Sequence, residues 1–217
     1  MTRSLIAEFL GTFTLVFIGA FAVAVTGFQD ANANVAVPAL AHGLILVALA
    51  FAYNGISGGH FNPAVTVGML VGGKIDVVKA VAYIIVQLVG GIAAAVALSV
   101  ILGTSTNYGV TKGVLTDSNI LSASLLEAFL VFFLVSTIYQ TAVHGRAGNV
   151  APIAIGFTLA ACILAGGYHT GASLNPARTL GPALMAGDLS YVIPYAIAQV
   201  IGGAAAGLIH SYLLPKD

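Results

Sequence analysis

Two asparagines, Asn62 and Asn175, stand in matching sequence contexts 113 residues apart. Each is followed by Pro-Ala, and each is preceded by a short segment that contains glycine. A side-chain amide offers N–H donors to the oxygen of a small polar molecule, and it makes or breaks no covalent bond in doing so. The chemistry predicted for these residues is therefore hydrogen bonding to a small neutral solute.

Both contexts also predict the start of a short helix. Asn is a favoured N-cap, and Pro is tolerated at the first helical position. The apolar runs that follow, 64–71 and 177–186, end at glycine. At about 1.5 Å per residue, each run covers only about half of a ~30 Å hydrocarbon core. Short helices interrupted by Gly and Pro at matching places in two halves indicate a membrane transport site.

The composition predicts that longer helices surround these two short ones. The chain has 217 residues, of which 59% are hydrophobic and 6% are charged, whereas about a quarter of the residues in a soluble domain are charged. Long uncharged windows predict an all-α membrane protein with six transmembrane helices and two re-entrant half-helices. The six predicted helices cover residues 5–28, 35–53, 77–102, 120–143, 150–166 and 191–214.

The same composition excludes several classes of function. The formal net charge is zero and no basic patch is present, so nucleic acid is not an expected partner. The single Cys162 excludes an internal disulfide and fits no metal-site spacing. No nucleophile–base pair or metal cluster is recognisable, so we expect neither enzyme activity nor a cofactor.

A tandem repeat organises the chain. Glu8 precedes Asn62 by 54 residues, and Glu127 precedes Asn175 by 48 residues. A Gln-x-x-Gly-Gly motif follows each asparagine, after 25 residues in one half and 24 in the other. We expect one domain, 1–217, composed of repeats 1–112 and 118–217. Because each repeat crosses the membrane three times, the repeats are inverted, and their half-helices enter from opposite faces and meet near the midplane.

The distribution of positive charge predicts the orientation. With the N-terminus in the cytoplasm, five of the seven Lys and Arg residues fall on that side, which favours cytoplasmic termini by the positive-inside rule. The five are Arg3, Lys74, Lys79, Arg146 and Lys216, against Lys112 and Arg178 elsewhere.

Two Asn-Pro-Ala boxes in inverted three-helix repeats resemble the aquaporin (major intrinsic protein) family, and the short chain resembles its small prokaryotic-type members. The resemblance covers essentially the whole chain. It implies a passive water channel that assembles as a homotetramer in membrane lipid, in the plasma (inner) membrane. It also implies that the boxes form the pore midplane, where the amides and the helix N-termini orient water and interrupt a proton wire. The box residues are Asn62, Pro63, Ala64, Asn175, Pro176 and Ala177.

Arg178 directly follows the second box, and an Arg in an apolar membrane segment is functional by default. In the resembled family this position belongs to the selectivity filter. Carried over by spacing from the two asparagines, the other filter positions are His42, Ile163 and Ala172. Strict bacterial water channels have Phe, His, Thr and Arg at the four positions. The set His-Ile-Ala-Arg is more similar to plant vacuolar-membrane aquaporins, which makes ammonia, hydrogen peroxide and urea alternative solutes.

Glu8 and Glu127 are expected to be buried carboxylates that accept hydrogen bonds from the re-entrant loops, because an unpaired carboxylate in the core would be costly. A proton relay between them is disfavoured, since no chain of titratable groups connects them. An ion-coupled secondary transporter is a further alternative, because inverted repeats with broken helices also suit that class. Thr179 stands where the glycerol-conducting branch of the family has Asp, which argues against a glycerol channel.

Overall fold

The computed structural model describes residues 1–26, 34–103 and 107–215. Over these residues the chain is helical, with six helices long and apolar enough to cross a membrane, as the sequence predicts. The helices are α1 Thr2–Thr26, α2 Ala36–Ser57, α3 Pro63–Val71, α4 Val77–Leu102, α5 Val114–Ser118, α6 Ile120–Ile138, α7 Ala151–Thr170, α8 Pro176–Ala186 and α9 Val192–Leu208. A 3₁₀ turn, Gly148–Val150, precedes α7, and π-helical turns continue α6 over Tyr139–Val143 and α9 over Ile209–Leu213.

The predicted boundaries differ from these at a few places. The first helix begins at Thr2 rather than at residue 5, and its predicted end at Phe28 lies outside the described residues, as does Lys216. The short helix α5 falls between the predicted helices 77–102 and 120–143, where the sequence predicts no helix. Its first turn is closed by Thr116, whose hydroxyl accepts from the Gly113 N–H over 2.9 Å. Such a side-chain bond stabilises one helical turn without any apolar periodicity.

The two half-helices α3 and α8 enter the bundle from opposite faces. The end of α3 lies at the face that carries Met1, called here the N-terminal face, where Ser211 Oγ at the end of the last helix donates to the Gly72 carbonyl over 3.2 Å. The end of α8 lies at the opposite face, called the far face, where Lys112 meets Asp188 over 2.8 Å. The N-termini of both half-helices therefore point inward toward each other.

The Gln-x-x-Gly-Gly motifs allow this arrangement to pack closely. A Cβ on Gly91 would lie 2.4 Å from the Ala177 carbonyl oxygen, and a Cβ on Gly203 would lie 2.3 Å from that of Ala64. The last glycine of each motif therefore packs directly against the half-helix of the other repeat. Contact this close requires a residue without a side chain, which is why small residues occupy helix interfaces in membranes.

Candidate functional site

The two Asn-Pro-Ala boxes contact each other directly through their asparagines. Asn62 Oδ1 accepts from the Ala64 N–H over 2.9 Å, and Asn175 Oδ1 accepts from the Ala177 N–H over the same distance, so each side chain caps its own half-helix. Each Nδ2 donates across to the other box, to the carbonyl of Leu174 over 2.8 Å and to that of Phe61 over 3.0 Å. An amide NH₂ has two N–H groups, so one on each asparagine is left for a solute.

The carbonyls that accept these bonds belong to residues with unusual backbone geometry. Phe61 has φ 50° and Leu174 has φ 56°, in the left-handed region that residues with a side chain avoid. This conformation costs roughly 1–2 kcal/mol per residue. Each N–H group donates to a different buried carboxylate, over 2.6 Å for Phe61 and 2.9 Å for Leu174. Charge-assisted bonds of this kind are worth about 1.5–3 kcal/mol each, which is enough to offset the strain.

Glu8 is the carboxylate of the first repeat, and it is fully buried. Its Oε1 accepts from Ser57 Oγ at 2.6 Å and from the His60 N–H at 3.0 Å. Its Oε2 accepts from the Phe61 N–H at 2.6 Å and from Gln87 Nε2 at 2.7 Å. Four donors surround one carboxylate, so the loop before α3 is fixed to α1 and α4.

Glu127 has the same environment in the second repeat. It is fully buried, and its Oε1 accepts from Thr170 Oγ1 at 2.7 Å and from the Ser173 N–H at 2.9 Å. Its Oε2 accepts from the Leu174 N–H at 2.9 Å and from Gln199 Nε2 at 2.8 Å. The glutamine of each repeated motif thus donates a hydrogen bond to the carboxylate of its own repeat.

Two tyrosines complete these networks, and the sequence analysis missed them. Tyr83 donates to the Ser57 carbonyl over 2.7 Å, and Tyr195 donates to the Thr170 carbonyl over 3.1 Å. Each tyrosine lies four residues before the glutamine of its repeat. Extending the comparison of the two repeats by one helical turn would have found them.

His42 and Arg178 form the polar pair at one end of the site. Arg178 Nε donates to His42 Nε2 over 3.1 Å, and both side chains are almost completely buried. Because Nε2 accepts, the ring carries its proton on Nδ1, which donates to the Pro38 carbonyl over 2.7 Å. The two terminal nitrogens of Arg178 have no hydrogen-bond partner among the described residues. They are buried, unpaired donors of a residue that lines the cavity described below.

The two apolar residues that the sequence assigns to the filter are in a different environment from this pair. Ile163 and Ala172 are 1% and 3% exposed and belong to the apolar core of the bundle. They do not line the cavity that His42 and Arg178 line, within the part of the chain that the structure describes.

A cavity of about 540 Å³ leads from the N-terminal face to the pair of His42 and Arg178. Its lining begins at Asn54, in the last turn of α2, and at Asn149, in the 3₁₀ turn before α7. It then passes Asn62 and Asn175 and reaches Arg178. Between these polar points the wall is mostly apolar, a feature that the sequence analysis did not assign to particular residues. The apolar wall comprises Leu15, Leu46, Val65, Met69, Leu134, Ile155 and Leu159.

The described residues contain no group of three or more His, Cys, Asp or Glu side chains placed to hold a metal ion. Cys162 is buried, and its thiol lies 3.8 Å from the Leu130 carbonyl oxygen. The polar groups of the site are therefore hydrogen-bond donors and acceptors along a cavity.

The described residues form six membrane-length helices and two half-helices that enter from opposite faces and meet at their N-termini. This arrangement defines a membrane channel built from an inverted repeat. The chain belongs to the major intrinsic protein family, which it matches over residues 1–210. This membership confirms the resemblance stated from the sequence. Because the members of this family are channels, it also confirms that the protein is not an enzyme.

Individual relatives and a solved structure agree with this assignment. The chain is 41% identical to the probable aquaporin TIP3-2 of Arabidopsis thaliana, over 98% of this chain and 84% of the relative. It is 37% identical to the aquaporin TIP1-2 of Zea mays, over 97% and 85%. An aquaglyceroporin from Plasmodium falciparum shares the fold, with a TM-score of 0.84 at 22% identity, covering 98% of this chain and 96% of that one.

Proposed function

We propose that this protein is a passive transmembrane water channel, whose conduction path follows the cavity between the two half-helices. The observation that carries the proposal is the reciprocal contact between the boxes, Asn62 to Leu174 at 2.8 Å and Asn175 to Phe61 at 3.0 Å. It leaves two amide donors at the same level of the cavity. The curated relatives described above are named aquaporins, which supports the same function.

At the midplane, a water molecule accepts hydrogen bonds from the free N–H groups of Asn62 and Asn175. The N-termini of α3 and α8 add positive partial charge at the same point, roughly half an elementary charge each. The oxygen is therefore held toward the amides, and both hydrogens point along the path. A water molecule in this orientation cannot relay a proton through the midplane, and a cation is repelled there.

The apolar wall limits how strongly water is held elsewhere. Leu15, Val65 and Leu159 line the cavity without offering hydrogen bonds. Conduction requires binding that is strong enough to admit the molecule and weak enough to release it. Polar contacts at the midplane and the filter, separated by an apolar wall, meet both requirements.

At the filter, Arg178 offers its terminal N–H groups to the solute oxygen and repels cations, while His42 holds the guanidinium through Nε. We propose that Ile163 and Ala172 form the apolar part of the same constriction. With apolar residues at these two positions, the constriction lacks hydrogen-bonding side chains that would discriminate between small solutes. This supports the alternative of a broader channel that also admits ammonia, hydrogen peroxide or urea.

We further propose a homotetramer in membrane lipid, with repeats 1–112 and 118–217 forming one channel domain in each subunit. Both termini would be cytoplasmic, in the plasma (inner) membrane. The support for this orientation is the placement of Arg3, Lys74 and Arg146 at or beside the N-terminal face, opposite Lys112. Cross-linking in native membranes, and labelling of single cysteines from either side, would test the assembly and the orientation separately.

The test of the proposed function is a stopped-flow shrinkage assay on reconstituted vesicles, with urea and ammonia uptake measured in parallel. We expect faster osmotic shrinkage than in protein-free vesicles of the same lipid, with a low activation energy. Equal rates with and without protein would refute water conduction. Uptake of urea or ammonia above the lipid background would support the broader channel.

A further inference from the structure

Gly19 in α1 lies directly against the imidazole of His42. A Cβ built on Gly19 would lie 2.0 Å from Nε2, 2.3 Å from Cδ2 and 2.4 Å from Cε1 of that ring. All three distances are below any separation that non-bonded heavy atoms adopt. The ring of the filter histidine thus occupies the space that a side chain on residue 19 would fill.

The ring has no freedom to make room in its present position. Its Nδ1 donates to Pro38 at 2.7 Å, its Nε2 accepts from Arg178 at 3.1 Å, and the side chain is 5% exposed. The atom closest to the added carbon is Nε2, which is the acceptor of the arginine. A side chain on residue 19 would therefore displace the ring from the guanidinium before it affected anything else.

Several other crowded glycines of the bundle lie against helix backbone, although Gly11 lies against the ring of Phe61. A Cβ on Gly207 would meet the Gly68 carbonyl oxygen at 2.2 Å, and a Cβ on Gly202 would meet that of Ala128 at 2.1 Å. Those glycines allow two helix backbones to approach. The three nearest atoms to a Cβ on Gly19 all belong to one side chain, and that side chain is in the filter.

We propose that Gly19 is a positioning residue of the selectivity filter: because this position has no side chain, the His42 ring packs against α1 and meets Arg178 at the edge of the conduction path. The volumes of residues 19 and 42 are then coupled, so that an increase at one is compensated by a decrease at the other. This inference rests on the proposed function, because it assigns His42 to the filter.

The first test is Gly19→Ala in reconstituted vesicles. The added methyl group pushes the ring away from α1 and removes the acceptor of Arg178 Nε. The displaced ring obstructs the cavity that it lines. We expect about tenfold lower water permeability per channel, the change that about 1.4 kcal/mol of added barrier causes. The ratio of urea to water permeability should change as well, which a purely structural role would not cause.

The second test is rescue by Gly19→Ala/His42→Ala, in which the new methyl group enters the space vacated by the imidazole. We expect the double variant to regain at least half of the lost water permeability and to show a raised urea-to-water ratio, like His42→Ala alone. Gly207→Ala is the matched control, because it crowds a helix crossing away from the filter. It should reduce thermal stability in detergent and leave the urea-to-water ratio unchanged.

The outcomes separate this inference from the proposed function. A wild-type protein that does not accelerate shrinkage overturns the function itself. A conducting wild type together with unchanged selectivity in Gly19→Ala overturns the role of Gly19. If Gly19→Ala does not fold, the double variant decides: folding and conduction restored by His42→Ala support the coupling, and failure to restore them refutes it.

Discussion

Asn62 donates its side-chain amide to the carbonyl of Leu174 over 2.8 Å, and Leu174 is the residue directly before Asn175. The second repeat returns the bond, from Asn175 to Phe61 over 3.0 Å. Each box therefore holds the loop of the other box as well as its own helix. Removing one asparagine should consequently damage both half-helices and not only the one that it caps.

We expect Asn62→Ala to lower the free energy of unfolding by about 2–4 kcal/mol, for loss of a cap and of a buried hydrogen bond whose acceptor stays unpaired. Water permeability per channel should fall together with stability, because the oriented donor is lost. Thermal unfolding in detergent and stopped-flow shrinkage measure the two effects.

The control for this variant is Asn119→Ala. Asn119 caps α6 by accepting from the Ser122 N–H over 3.0 Å, and it lies on the exposed surface. It should lose about 1 kcal/mol of stability and keep the permeability of the wild type. Equal permeability losses in the two variants would show that capping alone explains the role of Asn62.

Arg178→Ala should admit larger solutes. The side chain is buried, its Nε holds His42, and its terminal nitrogens have no partner among the described residues. Its removal both widens the constriction and deletes the positive charge, so urea uptake and proton leak through the pore should rise while water flow persists. The exposed Arg146→Ala is the control for loss of one positive charge. Unchanged urea and proton permeability in Arg178→Ala would remove this residue from the filter.

Glu127→Gln should destabilise the second loop strongly. Four donors point at the carboxylate, at 2.7, 2.9, 2.9 and 2.8 Å. An amide in its place turns an NH₂ group toward two of them, so the expected loss is about 3–5 kcal/mol. The loss should appear in thermal unfolding and in the yield of folded protein. Asp76→Asn, which retains an exposed helix cap at Lys79, is the control and should be nearly neutral.

Several features of this structure could be predicted from residue types and their order. The Asn-Pro-Ala boxes carry their own helix-start signal, and an odd number of crossings per repeat requires inversion. Uncharged windows of about 20 residues define the spanning helices within a few residues, because only a helix satisfies the backbone hydrogen bonds of a spanning segment within that segment. These inferences succeed because each depends on local chemistry or on the solvent.

Other features depend on contacts between residues that are far apart in the sequence, and no local sequence pattern predicts them. Gly19 is one of 26 glycines in the chain, and only the packing of α1 on α2 distinguishes it from the rest. The left-handed backbone of Phe61 and Leu174 could not be predicted from the sequence either, since neither residue type favours that conformation. It persists because carboxylates of other helices hold the N–H groups, at 2.6 and 2.9 Å.

The ion pairs of Lys112 give a prediction for pH dependence at the far face. Its Nζ lies 2.6 Å from Asp117 and 2.8 Å from Asp188. The hydrogen bonds from Lys112 and Ser190 lower the pKa of Asp188 from 3.8 to about 2. At Lys112, partial burial acts to lower the pKa. The hydrogen bonds to both carboxylates act in the opposite direction and outweigh the effect of burial, so the pKa is raised above 10.5.

The lowered pKa of Asp188 means that its contribution to stability is complete above pH 3.8 and is lost as the pH falls toward about 2. The raised pKa of Lys112 means that its contribution is complete below pH 10.5 and is lost above its folded-state pKa. We therefore expect Lys112→Met to lower stability by roughly 1 kcal/mol. The difference should be constant from about pH 5 to 9 and should shrink below about pH 4.

Unfolding temperatures of the wild type and of Lys112→Met, compared across this range, measure the ion-pair effect. Lys74→Met, an exposed lysine on the N-terminal face, is the control and should show no pH-dependent difference. A difference between wild type and Lys112→Met that grows as the medium is acidified would contradict the assignment.

Ile163 offers the sharpest test of the apolar side that we propose for the filter. It is 1% exposed, and nothing in its side chain can hydrogen-bond, so its contribution to selection is its volume. Ile163→Ala should therefore raise urea uptake relative to water by about ten- to two-hundredfold, since a methylene-sized change in an apolar pocket alters discrimination by about 1–3 kcal/mol. Ile163→His should do the opposite, because it narrows the constriction and adds a polar group that competes for the solute.

Leu164→Ala is the matched control, because Leu164 is the next residue of the same helix and is 54% exposed on the outside of the bundle. Its truncation removes a similar volume from the surface and should leave the urea-to-water ratio unchanged. If Ile163→Ala behaves like Leu164→Ala in parallel assays, Ile163 is a packing residue of the core. Selection would then depend on the polar pair of His42 and Arg178 alone.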